Sequence, residues 1–155
     1  MLTVLVENYL PLNYYTTMRG VMMDQKIFGA MVGIAMPDVL RKFKDCNLDC
    51  SIFSIQWFVC LFCKTLNQRR EIMDIVFDNL LVLGSVALFK IGLALLKWLR
   101  NSIVQSRDFP QLLVVLEQGM SSLNDGLRFQ ELINEVYVSV DLLEMARNSI
   151  KIEEN

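Results

Sequence analysis

Two strongly apolar stretches in this chain meet at a single glycine. They follow a third stretch that carries the first of its two tryptophans. Ser54-Ile55-Gln56-Trp57-Phe58-Val59-Cys60-Leu61-Phe62 comes first, then Val76-Phe77-Asp78-Asn79-Leu80-Leu81-Val82-Leu83-Gly84, then Ala87-Leu88-Phe89-Lys90. Each is too short to cross a bilayer, which takes about 18 or more consecutive apolar residues. The run from Ser51 to Cys63 closes at Lys64, and the run from Asn79 to Phe89 lies between Asp78 and Lys90. Charges at such intervals belong to buried helices of a packed domain, since a charge at the centre of a membrane helix is costly. The 155 residues are 54% apolar, above the usual range of about 45–50% for a soluble domain. A well-filled core, or a piece of a larger fold, accounts for the excess.

Composition removes several kinds of chemistry. The chain has no histidine, so imidazole acid–base work, Ser–His and Cys–His nucleophile pairs and imidazole-ligated zinc are excluded. Net charge is −2 with both signs scattered; without a basic stripe, no nucleic-acid partner is expected. Cys46, Cys50, Cys60 and Cys63 give C-x3-C and C-x2-C. An all-cysteine zinc site is the sharper reading of them, and burial in apolar helices is the favoured one. No basic n-region precedes the apolar start, so no signal peptide is expected. A reducing, cytoplasmic setting follows, with endomembranes as an expected place within it, and disulfides are rare there.

The chain reads as helices with short breaks, because period-2 alternation is scarce. Leu2–Leu10 resembles the last turns of a helix ended by Pro11. Asp24 is a candidate N-cap for a helix to about Met36, with Ile27, Phe28, Met31, Val32 and Ala35 on one face. Pro37 leaves room for a short piece, Asp38–Lys44. Leu48–Leu66 holds the Trp57 helix. Arg70–Leu83 is closed by Gly84, and Ser85 can cap a helix to about Gln105. Asp108-Phe109-Pro110 opens a short helix ending near Gly119. After Asn124-Asp125-Gly126, one long helix from Leu127 to about Ile150 carries Phe129, Leu132, Ile133, Val136, Val140 and Leu143 on one side. Glu131, Asn134, Glu135, Asp141 and Glu144 take the other. Its apolar side packs on its own domain or on a partner helix.

In order, these segments resemble the C-terminal half of a TBC domain, the all-helical domain of GTPase-activating proteins for Rab-type small GTPases. Glu7-Asn8-Tyr9-Leu10-Pro11, Tyr14-Tyr15 and Met18-Arg19-Gly20 are similar to the family's E-x-x-L-P-x-x-Y-Y…M-x-G stretch. Asp24-Gln25-Lys26-Ile27-Phe28 resembles its D-Q-x-V-F, and Met36-Pro37-Asp38-Val39-Leu40 its L-P-x-L. Ile55–Phe62 resembles its W-F-x-x-L-F helix, and Ala87–Leu96 its L-F-[RK]-x-A-L-A-x-L helix. Phe77-Asp78 stands where the family has Trp-Asp, and Leu83-Gly84 where it has Glu-Gly. The resemblance runs from residue 5 to about 98. It implies an all-α, irregular multi-helix array: residues 1–122 as the C-terminal part of a TBC-like domain and 123–155 as an appended amphipathic helix.

The signature residues Asp24, Trp57, Phe58, Phe62, Asp78, Gly84 and Phe89 are expected to be structural. Trp57 and Phe58 read as large core anchors. Asp78 reads as a buried carboxylate held by a loop or an arginine, with a contact to a bound GTPase as the alternative. Lys90 and Lys97 are expected in solvent.

The resemblance implies a regulator of small GTPases rather than an enzyme in itself, with no cofactor and no metal. Members of the family supply an arginine finger from I-x-x-D-x-x-R and a glutamine from Y-x-Q. The cation neutralises charge on the phosphoryl oxygens and the amide orients the attacking water. Neither run occurs in the sequence, so no residue is assigned a catalytic role. A truncated form and a degenerate one that binds without catalysing are the two readings, and Met1, within what reads as a helix, favours truncation. The partners implied are a Rab-type small GTPase, a peripheral membrane contact made through it, and a missing N-terminal half-domain or a partner helix. A non-enzymatic helical interaction module is the alternative function.

Overall fold

Gly84 divides two apolar helices because only a residue without a Cβ readily takes the backbone found there, φ 58° and ψ −135°. A computed structural model describes residues 18–66 and 69–153. Among them are nine α-helices and no strand: α1 (Arg19–Ala35), α2 (Pro37–Asp45), α3 (Ser51–Val59), α4 (Cys63–Leu66), α5 (Arg70–Leu83), α6 (Ser85–Gln105), α7 (Phe109–Gln118), α8 (Gly126–Glu135) and α9 (Val140–Glu153). A 3-10 turn, Gly119–Ser122, follows α7. The all-α array expected from the sequence is what the chain forms. The expected helix at Leu2–Leu10, with the motif from Glu7 to Tyr15, lies outside the described residues.

Helix α6 is the axis of the molecule. Apolar side chains surround it for most of its length, and a helix of that kind has to be enclosed by others. It packs against α2, α3, α5, α7 and α8. Gly92 admits a close neighbour: a Cβ there would come within 2.8 Å of the Phe28 ring. Asp108 and Asp125 cap α7 and α8, accepting hydrogen bonds from the backbone N–H groups of Gln111 and Arg128, each at 2.9 Å. Leu123, Phe129, Leu132, Ile133, Val138 and Leu143 join the same core as Trp57 and Leu95. At the surface, Lys97 of α6 pairs with Glu135 of α8 at 2.7 Å, and Arg128 adds a second cation at 3.0 Å. Lys97, first, and then Arg128 hold the Glu135 carboxyl below the usual glutamate range. Lys90 is half-exposed, as is Lys97.

Four local expectations are corrected. Asp24 does not cap a helix: α1 begins at Arg19, and Asp24 lies inside it, fully buried. A tertiary partner described below takes its carboxylate. Ser85 makes no side-chain cap either, and Gly84 holds the cap position of α6. The Trp57 helix is not continuous to Leu66, because Leu61 and Phe62 take left-handed φ values of 46° and 61°. That turn lets two adjacent side chains both enter the core, Leu61 at 3% and Phe62 at 0% exposure. The Leu127–Ile150 segment is two helices, because α8 packs on α6 whereas α9 returns to pack on α1. The break leaves Val140 exposed rather than on the buried stripe, and the Ser139 hydroxyl accepts a hydrogen bond from Leu142 N–H at 3.2 Å.

Candidate functional site

The aromatics on which the resemblance rests form one interlocked centre. Phe58 of α3 lies edge-on to Phe28 of α1 and Phe89 of α6, with ring centroids 5.4 and 5.2 Å apart. Phe62 stacks at a tilt on Trp57, 5.9 Å away, and on Phe58, 6.4 Å away. Edge-to-face pairs of this kind add specific attraction to the burial of large apolar area. Trp57, Phe58, Phe62 and Phe89 are all buried. Three helices and the left-handed turn therefore converge on residues that lie far apart in sequence.

The carboxylate in the core is that of Asp24. Arg147 of α9 donates to both its oxygens, Nε to Oδ1 and Nη2 to Oδ2, each at 2.8 Å. Asp24 is 1% exposed and Arg147 15% at the side chain. A two-pronged guanidinium–carboxylate pair is among the strongest polar contacts available, and burial makes either half costly without the other. Next to it, the Ser54 hydroxyl sits against Gln25 Oε1 and donates to the Cys50 carbonyl at 2.7 Å. Sequence reasoning missed Arg147. A signal for it exists: Leu143, Arg147 and Ile150 recur at helical spacing, which sets one cation on the apolar side of α9.

Asp78 behaves in the opposite way. It is exposed, and makes no ion pair or side-chain hydrogen bond with any described residue. The buried polar group is its neighbour Asn79, whose amide donates to Ile75 O at 2.8 Å and to Gln130 Oε1 of α8 at 2.9 Å. The expected buried carboxylate is thus displaced by one residue. On α5, Asp74, Asp78 and Val82 recur every four residues and all three are exposed, Val82 at 80%. Two carboxylates and a branched apolar side chain form a row on the outer face. Gly84, at the end of this helix, is buried.

A cleft of about 660 Å³ opens between α3, α4, α7 and the 3-10 turn, with Ile52, Gln56, Trp57, Lys64, Arg69 and Glu117 in its wall. Arg69 closes one side by donating to the Ser121 carbonyl at 2.5 Å. The cysteines do not gather as a ligand set: no cluster of three or more metal-ligating side chains occurs among the described residues. Cys50 is buried, and burial pushes its thiol up to about 12; Cys46, Cys60 and Cys63 are half-buried.

A family model described as the Rab-GTPase-TBC domain matches residues 1–104. TBC1 domain family member 2B of Xenopus tropicalis is 25% identical over 141 residues, which are 90% of this chain and 14% of that protein. GTPase-activating protein gyp2 of Schizosaccharomyces pombe is 28% identical over 129 residues, 82% of this chain and 17% of that protein. Growth hormone-regulated TBC protein 1 of Xenopus tropicalis is 28% identical over 112 residues, 72% of this chain and 32% of that protein. The chain thus spans a third or less of the length of these relatives.

Proposed function

Since this chain belongs to the Rab-GTPase-TBC domain family, we propose that it is part of a GTPase-activating protein for a Rab-type small GTPase, and that its own role is to support and dock the GTPase. The observation that carries the docking role is the exposure of Asp78. A carboxylate without a partner among the described residues is available to a partner outside them. The row Asp74–Asp78–Val82 suits a GTPase surface that sets basic side chains beside an apolar one. Charge complementarity of that kind steers association and fixes register.

The chemistry assigns the rest elsewhere. Hydrolysis of GTP needs a cation for the phosphoryl oxygens and an amide to orient water. The 155 residues hold neither I-x-x-D-x-x-R nor Y-x-Q, so groups from those motifs have to come from outside them. Asp24, Trp57, Phe58, Phe62, Gly84 and Phe89 serve the fold that presents the α5 face. Among the described residues no helix is long and apolar enough to cross a membrane. Contact with an endomembrane then runs through the GTPase.

The test is a panel of GTP-loaded Rab-type GTPases, scored for binding and for single-turnover hydrolysis with this chain added. Binding to at least one member is expected, at that member's intrinsic hydrolysis rate. Strong acceleration by the chain alone would overturn the division of labour, and no binding to any member would overturn the docking role.

A further inference from the structure

We propose that Cys60 and Cys63 are an oxidation-sensitive pair that closes to a reversible disulfide. The two are separated by Leu61 and Phe62, and the Cys63 N–H donates to the Cys60 carbonyl at 2.9 Å. A four-residue turn closed in this way brings its first and fourth Cα atoms within about 7 Å, and disulfides span Cα separations of about 4.4–6.8 Å. The turn is unusual. Both central residues have positive φ, 46° at Leu61 and 61° at Phe62, a conformation that glycine or asparagine normally takes. The core holds it in place. Leu61 and Phe62 are buried, and the Phe62 N–H donates to the Trp57 carbonyl at 2.8 Å. The two cysteines are therefore brought to bridging range by packing that exists before any oxidation.

Access and electrostatics agree with that geometry. Cys60 and Cys63 are both half-exposed, whereas Cys50 is buried. Burial, first, and the nearby Cys60 raise the Cys63 thiol, which suits Cys63 to the resolving role. With hydrogen peroxide as oxidant, the Cys60 sulfur attacks one peroxide oxygen. The O–O bond breaks, the Cys60 proton leaves with the departing hydroxide as water, and Cys60 becomes a sulfenic acid. The Cys63 sulfur then attacks the Cys60 sulfur. The S–O bond breaks, and its hydroxyl leaves with the Cys63 proton as a second water. The sulfur pair has lost two electrons to the peroxide, and an external dithiol returns them by exchange. The turn leads into Lys64, Thr65 and Leu66 on the wall of the cleft, so bridging fixes the backbone at that edge.

The reduced full chain is titrated with hydrogen peroxide, quenched in acid, alkylated in denaturant and mapped by peptide mass spectrometry. The expected result is loss of alkylation at Cys60 and Cys63 together, in a peptide lighter by two hydrogens than its reduced form. Cys46 and Cys50 are expected to remain alkylated, and dithiothreitol to restore the pair. In Cys63→Ser, dimedone is expected to trap a sulfenic acid on Cys60. The mapping of the unaltered chain decides the matter even if that variant folds poorly. Full alkylation of both cysteines at peroxide levels that oxidise a free Cys-x-x-Cys peptide would overturn the proposal. So would a bridge to Cys46 or Cys50, or sulfinic acid at both positions without a disulfide.

Discussion

The aromatic centre and the outer face of α5 both carry residues on which the sequence resembles the family, and the fold uses them in opposite ways. Phe58 touches Phe28, Phe62 and Phe89 and sees no solvent. Asp78 has no partner among the described residues and faces water. Residues that carry the resemblance are therefore not one kind of thing: some are buried in the core and others have no partner among the described residues. The two kinds separate experimentally, because scaffold positions move stability and free positions do not.

The largest effect belongs to the centre. Phe58→Ala removes a ring that three others touch, and a loss of about 3–5 kcal/mol is expected in denaturant unfolding. Arg147→Ala comes next, at about 3 kcal/mol, because it leaves the Asp24 carboxylate buried and unpaired. Hydrogen exchange should then show α9 opening ahead of the rest of the chain. Gly84→Ala forces a Cβ into a backbone at φ 58°, and about 2 kcal/mol of destabilisation is expected from thermal melting.

Toward the surface the effects shrink. Glu135→Gln should cost a small amount of stability near neutral pH and nothing in acid, because its ion pairs are exposed. The Glu135 carboxyl is depressed by Lys97 and Arg128, so its contribution is present above the ordinary glutamate range and fades as pH falls through the lowered value. The variant should therefore show a shallower loss of stability on acidification than the unaltered chain. Asp78→Lys should leave stability within about 0.5 kcal/mol. A large loss there would erase the contrast between the two regions.

The sequence was most legible where local chemistry is decisive. Gly84, Pro37, Asp108 and Asp125 each mark a helix end, and α5 and α6 run Arg70–Leu83 and Ser85–Gln105 as their punctuation implies. It was least legible where a distant partner decides. Asp24 has the form of a cap, yet Arg147, 123 residues away, takes its carboxylate. Nothing in the local pattern around Phe62 announces a left-handed turn, since the turn follows from placing Leu61 and Phe62 in the core together. The exposure of Asp78 was hidden for a third reason. Val76, Phe77, Leu80, Leu81, Val82 and Leu83 put apolar side chains all around α5, so its pattern does not say which face meets water. Helices α6 and α8, packing on it, make that choice.

The most direct measurement is a calorimetric titration of the unaltered chain and Asp78→Lys against a Rab-type GTPase bound in the panel, with melting temperatures taken on the same samples. An unchanged melting temperature with binding weakened by about tenfold or more, roughly 1.4 kcal/mol, is the expected result. Unchanged affinity, or a melting temperature that falls with the substitution, would contradict a docking role for the free carboxylate.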